Sequence, residues 1–365
     1  MKIPLIKPYI TQEVKDKVLE VLDSGMLTEG SVTHELEHAF KEYTGAEYAI
    51  AVTSCTTGLE IALRAIGIKP GDEVIVPDYT YPATASVVAI LGAVPVIVDV
   101  DKSTMLIDFD KLEKAITNKT KAIIPVSIFG NPLDYTKLNE IKSKYNLIII
   151  EDSACSIGSS FNGVKTGNLA DISVFSLHPR KFITTGEGGM ITTNNVAWAE
   201  WMNSYKHFGI GKAVDRLETT FEIIGTNYKL SNVQAAIGLV QMKYIDKLLN
   251  KRIELSNNYI SLLKDNPKVS IPVTTATGVH SRQSFCIYVD NRDDIIKKMR
   301  AIEIEVQIGT YSLHIQPAYN AEACVHAGSM EGSLYAFNHC LTLPLYDDLT
   351  FELQKRVVDE LFKIL

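Results

Sequence analysis

The 365-residue chain has little cysteine and no pattern in it. The five cysteines stand at 55, 155, 286, 324 and 340. An odd count at such wide spacing argues against a disulfide framework and against a paired-cysteine zinc site. Basic charge is also short. With 36 Lys and Arg against 43 Asp and Glu the net charge is −7, which gives nucleic acid no electrostatic footing. No apolar run approaches the roughly 20 residues of a membrane-crossing helix. The opening Met1-Lys2-Ile3-Pro4-Leu5-Ile6-Lys7-Pro8 lacks the apolar core of a secretory leader, so no membrane partner and a cytoplasmic location are expected. The Asn118 sequon therefore has no secretory context. Internal repeats, low-complexity tracts and flexible linkers are missing too. Gly209-Ile210-Gly211 lacks the third glycine and the preceding strand of a dinucleotide fingerprint, and reads as a loop.

What is present is alternation. Residues 48–52, 73–76, 94–98, 122–126, 147–150 and 172–175 are short Val- and Ile-rich runs bounded by turn signals, and read as buried strands. Amphipathic stretches at 56–65, 84–91, 109–116 and 135–145 separate them. That order implies an α/β fold with right-handed crossovers and a mostly parallel, helix-covered sheet. Ligands of such sheets sit outside the carboxyl ends of the strands. A long helix is expected after Ser231, running to about Leu249 or beyond. Strands are expected at 285–289 and 304–307, and a closing helix at 350–365. The length suits two units. Residues 1–245 are expected to form a large domain, and residues 246–365 a smaller α+β domain.

Three segments carry chemistry. Phe175-Ser176-Leu177-His178-Pro179-Arg180-Lys181 follows a strand and runs into the glycine-dense turn Gly186-Glu187-Gly188-Gly189. A lysine there can bond a carbonyl cofactor, although most loop lysines are merely solvated. Asp152 follows the apolar run 147–150, at a carboxyl strand end. An ionised aspartate there can keep a pyridinium nitrogen protonated; helix capping is the plainer alternative. Thr53-Ser54-Cys55-Thr56-Thr57-Gly58 joins a strand to a helix start, where free amides and the helix dipole suit a phosphate or, more plainly, an N-cap. Tyr81, after another strand end, can stack on a flat ring or belong to the core.

His34-Glu35-Leu36-Glu37-His38 matches the zinc-protease pattern literally. The apolar stripe of that helix is Leu36, Phe40 and Tyr43. Each histidine lies two positions from Leu36, roughly 200° away at 3.6 residues per turn. The pair is therefore expected on a solvent face.

Taken together, these segments resemble the nucleotide-sugar aminotransferases of the DegT/DnrJ/StrS type, on the fold type I architecture of pyridoxal-phosphate enzymes. The likeness runs nearly end to end. It takes in Gly25-Met26-Leu27-Thr28-Glu29-Gly30, Gly71-Asp72-Glu73-Val74-Ile75-Val76-Pro77, Glu151-Asp152-Ser153-Ala154, Gly225-Thr226-Asn227-Tyr228-Lys229-Leu230-Ser231 and Leu343-Pro344-Leu345-Tyr346. The resemblance implies that Lys181 carries pyridoxal phosphate and shuttles the proton, and that Asp152 partners its ring nitrogen. Tyr81 matches the stacking aromatic. Cys55 and Thr56 match the helix-start pair whose amides hold the phosphate, and Ser176 its hydroxyl donor. Asn227 matches the group that reaches the phosphate from a second subunit, so a homodimer with shared active sites is implied.

The chain departs from the family at three places. Cys55 stands where Gly is common, Cys155 where Gln is usual near the cofactor hydroxyl, and Lys229 where Arg is usual. A thiol is a weaker hydrogen-bond partner than an amide, and a lysine cannot bond bidentately. The implied substrates are glutamate and a nucleotide-linked keto sugar. Thr184-Thr185-Gly186-Glu187-Gly188-Gly189 with His314-Ile315-Gln316-Pro317 resembles members that aminate C4 of a 4-keto-6-deoxy sugar. Glu187, His314 and His178 are candidate substrate contacts, with loop bracing the plainer alternative for the first two; His178 and His207 align with polar neighbours of the family's site, where a structural hydrogen bond is the alternative. Two rivals share the fold. A sugar dehydratase typically replaces the lysine with histidine, and a non-enzymatic regulator has no need of Lys181, Asp152, Ser176 and Asn227 together.

Overall fold

The computed structural model describes residues 2–211 and 217–365. Its centre is an eight-stranded sheet of Tyr48–Val52 (β1), Glu73–Pro77 (β2), Val94–Val98 (β3), Thr120–Ile123 (β4), Ile148–Asp152 (β5), Ile172–Ser176 (β6), Gly189–Thr193 (β7) and Val325–His326 (β8). The strand order is β1-β7-β6-β5-β4-β2-β3-β8. Only β7 runs against its neighbours, pairing antiparallel with both β1 and β6. The mostly parallel α/β sheet is thus as expected.

Both faces of the sheet are buried, and side chains alternate between them with the period of two that a pleat imposes. Val74, Val76, Ile97, Ile150, Val174 and Ile191 enter one core. Helices Cys55–Ala65 (α3), Ala83–Ile90 (α4) and Val196–Lys206 (α7) cover that core. Ile75, Val96, Val98, Ile123 and Ile149 face the other way, toward Phe109–Ala115 (α5) and Tyr135–Tyr145 (α6). Ala51, Phe175 and Met190 meet Gln12–Ser24 (α1), Ser31–Thr44 (α2) and Asn232–Met242 (α8). Another core joins Ile3 to residues between Leu255 and Leu361. It surrounds the antiparallel sheet of Phe285–Tyr288, Cys340–Leu343 and Gln307–Ile308. The same part of the chain returns to the large sheet: Tyr311–Ser312 pairs with Tyr79–Thr80, and β8 adds to β3.

Several expectations need correcting. The expected long helix is two helices, α8 and Ile245–Leu263 (α9). Between them Tyr244 leaves helical geometry at φ −108° and ψ 9°. Its amide, like that of Lys243, bonds three residues back instead of four, which tightens and ends the turn. The strand expected at 122–126 lies two residues earlier, because Pro125 has no amide to give the ladder. The strand expected at 147–150 extends to Asp152. β7 was not expected as a strand; the preceding glycines mask the short run Met190-Ile191-Thr192-Thr193. The strand expected at 304–307 is only Gln307–Ile308, with Ile304 making a lone bridge to Ile3.

The segment 25–30 is held by Asn232, which bonds the Met26 and Leu27 carbonyls, and by a buried charge at Glu29. Lys206, 2% exposed, has its Nζ 3.0 Å from Glu29 and 3.2 Å from Glu37. It also donates to the Ala51 carbonyl at 3.1 Å. Burial works against the Glu37 charge, but His34, Lys206 and the Ala51 amide prevail and hold its carboxyl below the usual range. Lys206→Met leaves two carboxylates without their cation. It should cost about 3–5 kcal/mol at pH 7, read from urea unfolding. Glu37 stabilises above its unfolded value and loses that contribution as pH falls through its lower folded value. The deficit of the variant should therefore shrink toward pH 4; equal unfolding midpoints at pH 7 would show the cluster to be neutral.

Candidate active site

The ends of β5 and β6 and the start of α3 converge at the carboxyl edge of the sheet. Asp152 is the last residue of β5 and only 5% exposed. Its Oδ2 accepts from Thr84 Oγ1 at 2.9 Å, and its Oδ1 from the Ala154 amide at 3.1 Å. Burial pushes its carboxyl above the usual aspartate range, while Thr84, the Ala154 amide and Lys181 pull it back. Two donors and a cation are what a buried carboxylate needs to hold its charge.

Lys181 lies in the loop after β6, between buried Phe182 and the exposed Arg180. Its amide bonds the His178 carbonyl at 2.8 Å. Its Nζ donates to Cys155 Sγ at 3.0 Å. Burial disfavours the ammonium, but its neighbours, Cys155 foremost and Asp152 with it, outweigh that and raise the lysine above its ordinary value. Burial, then the Asp152 charge, push the Cys55 thiol well up, so it stays a neutral thiol at neutral pH.

Ser54 caps α3 reciprocally. Its Oγ accepts from the Thr57 amide at 3.1 Å, and Thr57 Oγ1 accepts from the Ser54 amide at 3.1 Å. The amides of Cys55 and Thr56 have no hydrogen-bond partner among the described residues. Two open donors at a positive helix end form an anion seat. The Thr57 hydroxyl is used internally, whereas the Thr56 side chain is exposed. Cys55 Sγ lies 3.5 Å from the Val174 carbonyl and 4.0 Å from Asp152 Oδ1, which ties the seat to both strand ends. Ser176 ends β6 directly opposite Gly189 of β7. Its Oγ accepts only a long bond, from the His178 amide at 3.4 Å.

Two glycines make this convergence possible. A Cβ on Gly189 would stand 2.5 Å from the Ser54 carbonyl carbon and 2.7 Å from the Cys55 amide nitrogen. A Cβ on Gly58 would stand 2.6 Å from Val174 Cγ1. At Gly189 the helix start rests on the strand backbone to backbone, and at Gly58 it rests on sheet side chains with none of its own between.

Lys181, Asp152, Cys55 and Cys155 are brought into one cluster, with Thr56 and Ser176 at its edge. Tyr81 is 65% exposed, its ring 6.3 Å from Tyr311. Asn227 accepts from Lys229 Nζ at 2.7 Å and bridges His207. The neighbouring Tyr228 carbonyl accepts from the Thr53 amide at 3.1 Å, beside the α3 seat. His178 Nε2 lies 3.7 Å from Glu187 Oε1. Burial, with Lys181 and Arg180 nearby, lowers the His178 pKa despite Glu187. His34 and His38 lie on the exposed face, as their spacing from Leu36 requires, and His34 Nδ1 is 2.9 Å from Glu37.

His314 is braced rather than free. Its amide and its Nδ1 each lie 2.7 Å from the fully buried Asp78 carboxylate, and Ser312 Oγ also donates to Asp78 at 2.7 Å. Sequence reasoning missed Asp78, although it follows β2 just as Asp152 ends β5. It also missed Thr84, a buried polar residue in the first turn of α4, and Gln283, which no local pattern marks.

The profile of the DegT/DnrJ/EryC1/StrS aminotransferase family matches residues 8–362. GDP-perosamine synthase of Caulobacter vibrioides is 38% identical over 357 residues, covering 91% of this chain and 95% of that protein. The solved structure of Helicobacter pylori PseC, an aminotransferase involved in the biosynthesis of pseudoaminic acid, superposes with a TM-score of 0.94 at 27% identity. It covers 100% of this chain and 99% of that one. The PLP form of Streptococcus pneumoniae Spr1654 superposes at 0.90 with 29% identity, covering 99% and 100%. Spr1654 has also been solved in an apo form and a PMP form. The chain belongs to the DegT/DnrJ/EryC1/StrS aminotransferase family.

Gly189→Ala should force the α3 start off the sheet. The expected cost is about 1–3 kcal/mol in urea unfolding, together with weaker binding of phosphate-bearing ligands by calorimetry. Unchanged stability would mean that the two segments separate easily.

Proposed function

We propose that the chain transfers an amino group from glutamate to the keto carbon of a nucleotide-linked sugar, C4 of a 4-keto-6-deoxy hexose, with pyridoxal phosphate as cofactor. The product would serve surface-polysaccharide or glycan assembly in the cytoplasm. The observation that carries this reading is a cluster at the carboxyl edge of the sheet, where the Lys181 amine and the buried Asp152 carboxylate adjoin a helix start with two open amides.

The donor set fits a phosphorylated pyridine aldehyde. Cys55 and Thr56 amides and the Ser176 hydroxyl suit the phosphate, Asp152 the ring nitrogen, Lys181 the aldehyde carbon, and Tyr81 a ring face. Cys155 adjoins Lys181, where the ring hydroxyl would lie. The cofactor, when bound, supplies a carbonyl that carries the amino group and a ring that withdraws electrons. Asp152 holds a proton at the ring nitrogen, and the Thr84 and Ala154 donors keep its carboxyl ionised for that task. Lys181 Nζ takes the proton from the α-carbon of glutamate and later delivers one to the acceptor carbon of the sugar. Asp78 fixes His314 Nδ1, leaving Nε2 for a sugar hydroxyl; Glu187 and His178, 3.7 Å apart at the two ends of the Lys181 loop, would be its companions. A homodimer would bring Asn227 of one subunit to the phosphate seat of the other.

Names of relatives support two parts of this reading. The PLP and PMP forms of Spr1654 support the cofactor. GDP-perosamine synthase supports a nucleotide-linked sugar. Retained Lys181 favours amino transfer over dehydration.

The purified protein should be yellow with pyridoxal phosphate, bleach with glutamate, and regain colour with a 4-keto-6-deoxy nucleotide sugar. A protein that stays yellow in glutamate overturns the donor assignment, and recovery only with a 3-keto sugar moves the reaction to C3. Lys181→Ala should lose about 10²–10⁴ in kcat. Asp152→Asn should cost at least about 10². Yet because burial raises Asp152, its ionisation opposes folding above the unfolded value, so cofactor-free Asp152→Asn should melt higher at pH 7 and match wild type near pH 3. A lower melting point at pH 7 would mean that the Thr84 bond outweighs burial.

A further inference from the structure

Lys181 can act only if its main chain is held, because a loop lysine otherwise samples many positions. The loop has little ladder of its own to hold it. Phe182 and Ile183 are anchored by burial, at 4% and 0% exposure. The peptide groups on either side of Lys181 are met by one side chain from a distant part of the chain. Gln283 Nε2 donates to the Arg180 carbonyl at 2.8 Å, and Gln283 Oε1 accepts from the Phe182 amide at 3.2 Å. A single buried amide thus brackets the lysine, as a neighbouring strand would.

Gln283 is itself held. Arg252 of α9 is 4% exposed and donates through one guanidinium nitrogen to the Arg282 carbonyl at 3.1 Å and the Gln283 carbonyl at 3.2 Å. Its guanidinium also lies 5.0 Å from the Phe182 ring centroid. Burial lowers the Arg252 pKa to about 9, so it remains a cation at neutral pH. Two residues before Gln283, Ser281 Oγ donates to the Cys155 carbonyl at 3.1 Å. The strap 281–283 therefore grips the main chain at both ends of the Lys181–Cys155 contact. It fits against Gly130, where a Cβ would stand 2.3 Å from Ser281 Oγ and 2.9 Å from the Cys155 carbonyl oxygen.

We infer that Gln283, locked by Arg252, is a positioning residue that sets where the Lys181 amine stands in the pocket. This rests on the proposed role of Lys181. It goes beyond that role by giving the segment from α9 to residue 283 a part in the chemistry without a contact to cofactor or substrate. Losing the bracket leaves the buried Phe182 amide and the half-buried Arg180 carbonyl unpaired and frees the loop, and a displacement of about 1 Å at a reacting group can cost about a hundredfold in rate.

The test compares wild type with Gln283→Met, which loses both bonds, and Gln283→Glu, which keeps only the acceptor for the Phe182 amide. Three readouts are taken. One is kcat and KM with glutamate. Another is the pH midpoint of Lys181 acetylation in cofactor-free protein, followed by peptide mass spectrometry. The last is urea unfolding. Gln283→Met should lower kcat about tenfold to a hundredfold with KM within about threefold, and should move the Lys181 acetylation midpoint. Gln283→Glu should show a smaller loss in kcat. If Gln283→Met loses urea stability while kcat and the midpoint stay at wild-type values, the residue is merely structural and the inference falls. If Gln283→Met does not fold, Gln283→Glu decides on the same two readouts. Borohydride reduction of wild type with pyridoxal phosphate should mark Lys181. A mark elsewhere overturns the reading of Lys181 itself, whereas a correct mark with an unmoved midpoint overturns only the role of Gln283.

Discussion

The burial of one carboxylate at the carboxyl edge of the sheet ties the candidate site together. Asp152 ends a central strand, out of water, where its ionised form is costly unless donors and a cation surround it. Thr84 comes from the first turn of α4, the Ala154 amide from the turn after β5, and the Lys181 influence from the loop after β6. Each of these belongs to a separate connection between strands of the sheet. Meeting one charge therefore fixes the relative placement of three connections. The strand ends and helix starts meet around it.

Close backbone approach is the second constraint, and it works through what is missing. Gly58 and Gly189 let the α3 start lie directly on β6 and β7. The open amides of Cys55 and Thr56 thus face the pocket instead of being lifted away by a side chain. Gly130 does the same for the strap 281–283. The site is held from the sheet below and from α9 at the side, so the proposed chemistry draws on both cores. A pocket that must keep a lysine, a carboxylate and an anion seat in fixed relation gains from such bracing.

Much of this was legible in one dimension because the physics is local. Short Val- and Ile-rich runs reported the buried strands, and alternation with amphipathic stretches reported the parallel sheet. Asp152 and Lys181 were legible because strand ends in such sheets are where chemistry concentrates. β7 was not, since Gly186, Gly188 and Gly189 read as a turn and hid a strand of five residues. The break at Tyr244 was not either. It depends on a turn tightened between Val240 and Tyr244 and on the Tyr244 hydroxyl bonding Glu13 at 2.6 Å, more than 200 residues away. Asp78 had a local signal in its position after β2, but its partners Ser312 and His314 lie too far along the chain for that signal to be weighed.

The sequence by itself determined the class of sheet, the two chemical groups at its carboxyl edge and the family to which the chain belongs. These follow from periodicity of two, from turn residues and from motifs of a few adjacent positions. Only the tertiary structure decided how the groups are held. It brought Gln283 to either side of Lys181, Arg252 behind Gln283, Thr84 onto Asp152 and Asp78 onto His314. Those pairings join residues from 31 to 236 positions apart along the chain where numbered among them. No short-range pattern encodes them, because a side-chain amide or a carboxylate finds its partner through the folding of whole layers, not through spacing along one strand or helix.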